Sequence, residues 1–230
     1  MNPILLTVLP AVAGALGAAG AIGWWVLRRR PAGDDVPLRQ LEFVAIDTET
    51  TGLDPRTDAL VALAAIPFVD GQPRPHESYT SLVNPGRGIP RAAQAIHGIT
   101  DAHVREAPPA EAALPAFFEA CRERPLVAHT AQFDLALISR AARRSGLSPS
   151  TGPVLDIGAL AHALFPSWWD LSLEGLGRLV ELEPIDRHTA RGDALTAGMI
   201  FLRMIPLLER RGITSLAAAL RLQRRTAILP

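Results

Sequence analysis

Two hydrophobic periods alternate along this chain. Phe43–Ile46 is an apolar run that ends in Asp47, Thr48 and Glu49, and Gly52 follows to permit a sharp turn. Ala59–Val69 is a second apolar run, closed by Asp70-Gly71, a hairpin signal. His76–Val83 reads as the returning strand, ended by Asn84-Pro85-Gly86. Three strands in succession predict an antiparallel meander. From residue 91 onward the period lengthens to that of helices, over Ala110–Arg124, Ala131–Ser145, Ile157–Leu164, Ser172–Leu179 and Thr189–Arg211. Short apolar runs at Leu126–Ala128 and Val154–Leu155 are candidate buried strands between them. Strands first, then alternating helices and strands, predict an α/β domain with a mixed central sheet.

The flanks read differently. Ile4 to Leu27 holds no charged residue, and as a helix would span roughly 36 Å. Trp24 and Trp25 stand where an interfacial aromatic belt would lie, and Arg28, Arg29 and Arg30 follow. A cleaved signal peptide is the rival reading, but its positive charge precedes the apolar run and here it follows. The expectation is a single-pass anchor in the lipid bilayer through residues 4–27, with the rest of the chain on the cytoplasmic side of the inner membrane. Small residues at Ala11, Ala15, Ala19 and Gly23 have the spacing of close helix pairing, which a segment this rich in Ala and Gly shows by chance. The expected organisation is an anchor with basic flank over 1–30, a polar linker over 31–40, a catalytic domain over 41–211 and a helical tail over 212–230. That tail reads as one basic amphipathic helix (Arg221, Arg224, Arg225), a solvated packing helix rather than a partner surface. No internal repeat is present.

Composition narrows the function. Lys+Arg 23 against Asp+Glu 23 gives a net charge of zero, so no broad basic surface is available to grip long duplexes. An enzyme that holds only a strand end, with its positive charge supplied as bound metal, is unaffected by that balance. The single cysteine, Cys121, excludes an internal disulfide framework and a cysteine zinc cluster.

The acids hold the chemistry. Residues i and i+2 of a strand share a face, so Asp47 and Glu49 leave the end of the first strand together. Two carboxylates held that close repel unless a cation lies between them, and oxygen ligands alone suit Mg²⁺ or Mn²⁺ better than zinc. Asp134 falls in the first turn of a helix that follows a short strand, and His188 and Asp193 flank the start of the long helix. Taken singly, Asp134 is a helix N-terminal acid favoured by the dipole and His188 a solvated loop residue. Taken together, they stand beside three separate element ends, a pattern that packing does not explain.

In this order, Asp47-x-Glu49, His129-x-x-x-Phe133-Asp134 and His188-x-x-x-x-Asp193 resemble the motifs of the DEDDh 3′–5′ exonuclease family. Within it the chain is most similar to epsilon-type proofreading domains of bacterial DNA polymerase III. Asn84-Pro85 and the AIHGIT segment (Ala95–Thr100) occur where such domains have NP and HGIT, and the likeness runs over roughly residues 41–211. Thr130 departs from it, since the family usually has Asn there. The resemblance implies an α/β, ribonuclease H-like fold, a mixed β-sheet flanked by helices, here preceded by a transmembrane helix. It implies two divalent cations (Mg²⁺ or Mn²⁺), a pair that in such sites lies about 4 Å apart. Asp47, Glu49 and Asp193 would hold the first, and Asp47 with Asp134 the second. His188 would be the general base, its ordinary pKa near 6.5 suiting neutral pH.

By the same resemblance, Thr48, Thr50, Thr51 and Gly52, the loop at His97, and Phe133 would contact the terminal nucleotide; core packing is an equal reading for Phe133. Trp168 and Trp169 read as stacking platforms or, with Phe165 and Pro166 beside them, as a hydrophobic corner, the reading preferred. Asp156 and His162 are read as structural. The expected substrate is a nucleic acid 3′ end, single-stranded or frayed DNA, with RNA trimming as the alternative. From another class comes a catalytically silent recruitment module at the membrane. No polymerase-binding segment is recognisable.

Overall fold

Phe43–Thr50 forms the central strand (β1) of a six-stranded sheet in the computed structural model, which describes residues 36–148 and 152–226. Leu60–Val69 (β2) pairs antiparallel with β1, and Gln72–Pro73 (β3) and Tyr79–Leu82 (β4) both pair antiparallel with the far side of β2. Leu126–Ala128 (β5) and Val154–Asp156 (β6) extend the sheet in parallel on the other side of β1. This is the mixed sheet that the meander and the later short runs predict. Asp70 and Gly71 turn the hairpin with φ of 54° and 69°, both in the left-handed region that a two-residue type I′ loop needs. The expected strand over 76–83 is shorter, Tyr79–Leu82, because a 3₁₀ turn at Pro75–Glu77 takes up its start.

Eight helices lie among the described residues. Arg91–His97 (α1) and Asp101–Val104 (α2) frame the loop at residues 98–100. Ala110–Cys121 (α3) and Ala131–Arg144 (α4) cover one face of the sheet. Ile157–Leu164 (α5), Leu173–Leu179 (α6), Ala190–Arg210 (α7) and Leu216–Thr226 (α8) stand on the other side.

Strand alternation sends Val44 and Ile46 into the first layer and Phe43 and Ala45 into the second. There Phe43 stacks on Phe68 at 4.7 Å between ring centroids and meets Phe201 edge-on at 5.2 Å. Gly198 lets α7 approach this closely, since a Cβ at that position would meet the Phe68 ring at 2.4 Å.

The segments expected to flank the domain take part in it. Leu38 N–H donates to Thr214 O, and Leu216 N–H to Val36 O, each at 2.9 Å. Leu38 and Leu216 are each only 1% exposed. Apolar side chains of the polar tether and of the amphipathic tail thus find the same core. Gln223 also closes the sheet edge, its side-chain amide donating to Val154 O at 2.7 Å and accepting from Asp156 N–H at 3.0 Å. An exposed edge strand is thereby partly capped without another strand. The expected anchor over residues 4–27 and the basic flank lie outside the described residues. Among the described residues no helix is long and apolar enough to cross a membrane.

Candidate active site

A register shift follows Glu49. Glu49 pairs with Ala62 but Thr50 with Leu60, so Val61 bulges, and a bulge twists the strand end and re-aims its side chains. Leu60 and Leu63 consequently enter the same core layer while Val61 packs with Ile89, Ala93 and Val104 beneath α1 and α2. The β1 terminus is thus fixed from both sides just where the acids leave it.

Asp47 and Glu49 share the α7 side of the strand, as the i, i+2 spacing predicts. Asp193 joins them from the first turn of α7, and one oxygen from each of the three lies within 4.8 Å of the others. Glu49 and Asp193 are buried, Asp47 half-buried. Burial followed by the charges of Asp134, Asp193 and Glu49 raises Asp47 well above the usual carboxylate range. Burial, then Asp193 and Asp134, pushes Glu49 up to about 7. Such mutual destabilisation of the ionised forms is what a divalent ion relieves. One buried oxygen of Asp193, Oδ1, has no hydrogen-bond partner among the described residues. A hard, all-oxygen cluster with an unmatched buried acceptor fits Mg²⁺ or Mn²⁺.

Asp134 lies outside that trio, yet its charge acts on both Asp47 and Glu49. It is buried in the first turn of α4, and its Oδ1 accepts the Thr48 hydroxyl at 2.5 Å. Thr48 has the parity of Ile46, so this contact is made on the opposite side of β1 from Glu49. Burial raises Asp134 to about 7, against the lowering effect of the Thr48 hydrogen bond.

His188 lies on the loop before α7, exposed and with φ of 62°. Its backbone N–H donates to Asp193 Oδ2 at 3.3 Å. Gly192 allows the loop to pass this close, because a Cβ there would meet Asp186 O at 2.2 Å. The buried Thr196 hydroxyl donates to Gly192 O at 2.8 Å and accepts Ile185 N–H at 2.9 Å, tying the loop to α7.

The other motif residues are braced from within. Thr50 Oγ1 donates to Gly52 O at 2.6 Å, and Thr51 Oγ1 to Asp58 Oδ1 at 2.8 Å. Gly52 is required by close approach, since a Cβ would meet the Asp58 carboxylate at 2.6 Å. His97 is buried, with its Nε2 3.3 Å from Thr50 O and its Nδ1 accepting Ile99 N–H at 3.0 Å. Burial lowers its pKa, which keeps the ring neutral in this role. Phe133 is half-buried against the α3 and α4 layer, the packing side of its two readings. The two tryptophans separate: Trp168 is half-buried and donates to Asp170 O at 2.8 Å, while Trp169 is 89% exposed. Asp156 is structural as expected, capping α4 through Ala131 N–H at 2.8 Å and α5 through Ala159 N–H at 3.0 Å.

Arg187 has no place in the sequence reading. Its guanidinium pairs with Asp193 Oδ2 and donates through Nε to Glu174 Oε1 on α6 at 2.7 Å. A lone arginine beside the motif histidine gives no signal of this until the loop is folded back.

A family described as Exonuclease (RNase_T) matches residues 44–201. A DNA polymerase III subunit epsilon-like protein of Rhodobacter capsulatus is 40% identical over 189 residues, covering 81% of this chain and 27% of that protein. A PolC-type DNA polymerase III of Thermotoga petrophila is 31% identical, over 80% of this chain and 13% of that protein. The chain therefore spans about a quarter or less of these relatives. Among solved structures, Exonuclease X in complex with 5′ overhanging duplex DNA is 27% identical with a TM-score of 0.59, covering 80% of this chain and 99% of that one. E. coli Exonuclease I in complex with a dT13 oligonucleotide shares the fold, with a TM-score of 0.64 at 19% identity over 75% of this chain and 43% of that one.

Proposed function

The chain belongs to the exonuclease family, and from that premise we propose that it is a 3′–5′ phosphodiester hydrolase that shortens single-stranded or frayed DNA from the 3′ end, releasing nucleoside 5′-monophosphates. The observation behind the reading is the convergence of Asp47, Glu49 and Asp193 oxygens within 4.8 Å at the end of β1. These three residues would hold one divalent cation, and Asp47 with Asp134 a second. When bound, the cations would orient the attacking water and neutralise the charge that develops on the phosphate and the leaving oxygen.

The remaining chemistry belongs to the chain's own groups. His188, exposed on its loop beside Asp193, would take the proton from the attacking water as the new P–O bond forms. The Thr51–Asp58 and His97–Thr50 contacts hold the rim against which the terminal nucleotide would rest. General-base catalysis of this kind contributes about 10²–10⁴ in rate, so His188→Ala should lower kcat by that factor without abolishing turnover.

Under the same proposal, residues 4–27 tether the nuclease to the cytoplasmic face of the inner membrane. Recovery of the protein in the soluble fraction of gently lysed cells would contradict the tether. The proposal does not extend to a polymerase partner, because the polymerase relatives are matched over 27% and 13% of their lengths.

The test uses the full chain, Mn²⁺ and 5′-labelled strands of DNA and RNA of one sequence. A ladder that shortens from the 3′ end on DNA supports the proposal. A preference for the RNA strand would convert the reading to RNA trimming. Folded protein that binds Mn²⁺ yet degrades neither strand would indicate a silent recruitment module.

A further inference from the structure

The Arg187 guanidinium lies beside the acid cluster, paired with one of its three members. One side of its fork pairs with Asp193 Oδ2, and Nε is held by Glu174 Oε1 at 2.7 Å. The side chain is 23% exposed and that of Asp193 12%, so this pair is sheltered from solvent screening. Its charge also acts on Asp47 and Glu49, opposing the repulsion among the acids. The reach is built into the loop: Gly192 admits the chain over the first turn of α7, and Thr196 fastens it at Ile185.

An arginine committed to Asp193 and a divalent ion ligated by Asp193 compete for one carboxylate and repel each other. Resting on the functional reading above, we propose that Arg187 is the resident counter-ion of the metal-free site and is displaced from Asp193 when the first divalent cation binds. Glu174, on a separate helix, then retains the guanidinium at the rim, so displacement is a short swing rather than an unfolding of the loop. Arg187 thereby sets the metal affinity of the site: it stabilises the empty cluster and weakens binding of the ion. It is a positioning residue. A lysine could supply the charge but not the planar fork that spans Glu174 and Asp193 together.

The test is calorimetric titration of the full chain with MnCl₂ alone, after EDTA treatment and dialysis, alongside thermal melts of the metal-free protein. Removing one positive charge beside the ion should tighten Mn²⁺ binding by about tenfold in Arg187→Gln, while the metal-free variant melts lower than wild type. Arg187→Lys should fall between the two. Unchanged or weaker Mn²⁺ binding in folded Arg187→Gln and Arg187→Lys would overturn the proposal, since Arg187 would then not oppose the ion. Absence of Mn²⁺ binding by wild type would overturn the metal reading of the site and this inference with it.

Discussion

The two halves of β1 are one strand of eight residues put to opposite uses. Phe43–Ile46 is fully buried and apolar, stacked on Phe68, edged by Phe201 and approached by the bare backbone of Gly198. Asp47–Thr50 places like charges side by side, raises the pKa of Asp47 and Glu49, and leaves a buried Asp193 oxygen without a partner. The first half has every contact a core residue wants; the second is arranged for something it does not itself contain. A rigid apolar half is what allows the acidic half to hold an unfavourable arrangement, and changes in the two halves should therefore separate stability from activity.

Asp47→Asn should break the comparison most severely. It removes the carboxylate shared by both proposed cations, so turnover should fall to background. The metal-free protein should nevertheless melt higher, by roughly 1 kcal/mol, because one member of a repelling cluster is gone. Phe43→Ala is the mirror image. It should cost about 3–5 kcal/mol of stability by opening a cavity between Phe68 and Phe201, with kcat per folded molecule preserved at a temperature where the variant is folded. Denaturant melts and active-site-normalised rates measure both.

Between these lies a pH effect. The Glu49 carboxyl titrates at about 7 in the folded protein against an ordinary 4.5, so the folded state holds this proton more tightly than the unfolded chain. Its contribution is full below about pH 4.5 and is lost as pH rises to about 7. Metal-free protein should thus lose on the order of 3 kcal/mol across that interval, and saturating Mn²⁺ should recover it at pH 7. Melts with and without EDTA from pH 4.5 to 8 measure it.

The apolar half was legible because its code is local. Continuous apolar runs placed β1 and β2, the Asp70-Gly71 dipeptide placed the hairpin, and helical period placed α3 to α7 within a few residues. The Asp47 and Glu49 pairing followed from strand parity alone. What the chain did not disclose depends on contacts far apart in sequence. Arg187 enters the acid cluster only because Gly192 and Thr196 shape its loop. Asp134 joins β1 through Thr48, on the side opposite Glu49, which no spacing rule anticipates. Leu38 stands in a short polar tether and Leu216 in a tail read as a separate helix, and nothing local shows that they share one core.

Thr130 shows the smallest expected effect, at a position whose backbone suits Asn. It precedes α4 with φ 58° and ψ 43°, and its side chain makes no capping bond. A β-branched residue is strained there, whereas Asn tolerates the left-handed region. Thr130→Asn should stabilise the fold by about 1 kcal/mol, read as a higher melting temperature, with rates close to wild type.

The central claim is that acids drawn from separate stretches of chain hold the cation that hydrolysis requires. The most direct measurement is the initial rate on single-stranded DNA of EDTA-treated wild type, Asp47→Asn and Asp193→Asn as Mn²⁺ is returned. The account predicts saturable recovery for wild type and none for either variant, with all three proteins folded. Recovery of Asp47→Asn to near the wild-type rate, or a wild-type rate indifferent to EDTA, would contradict it.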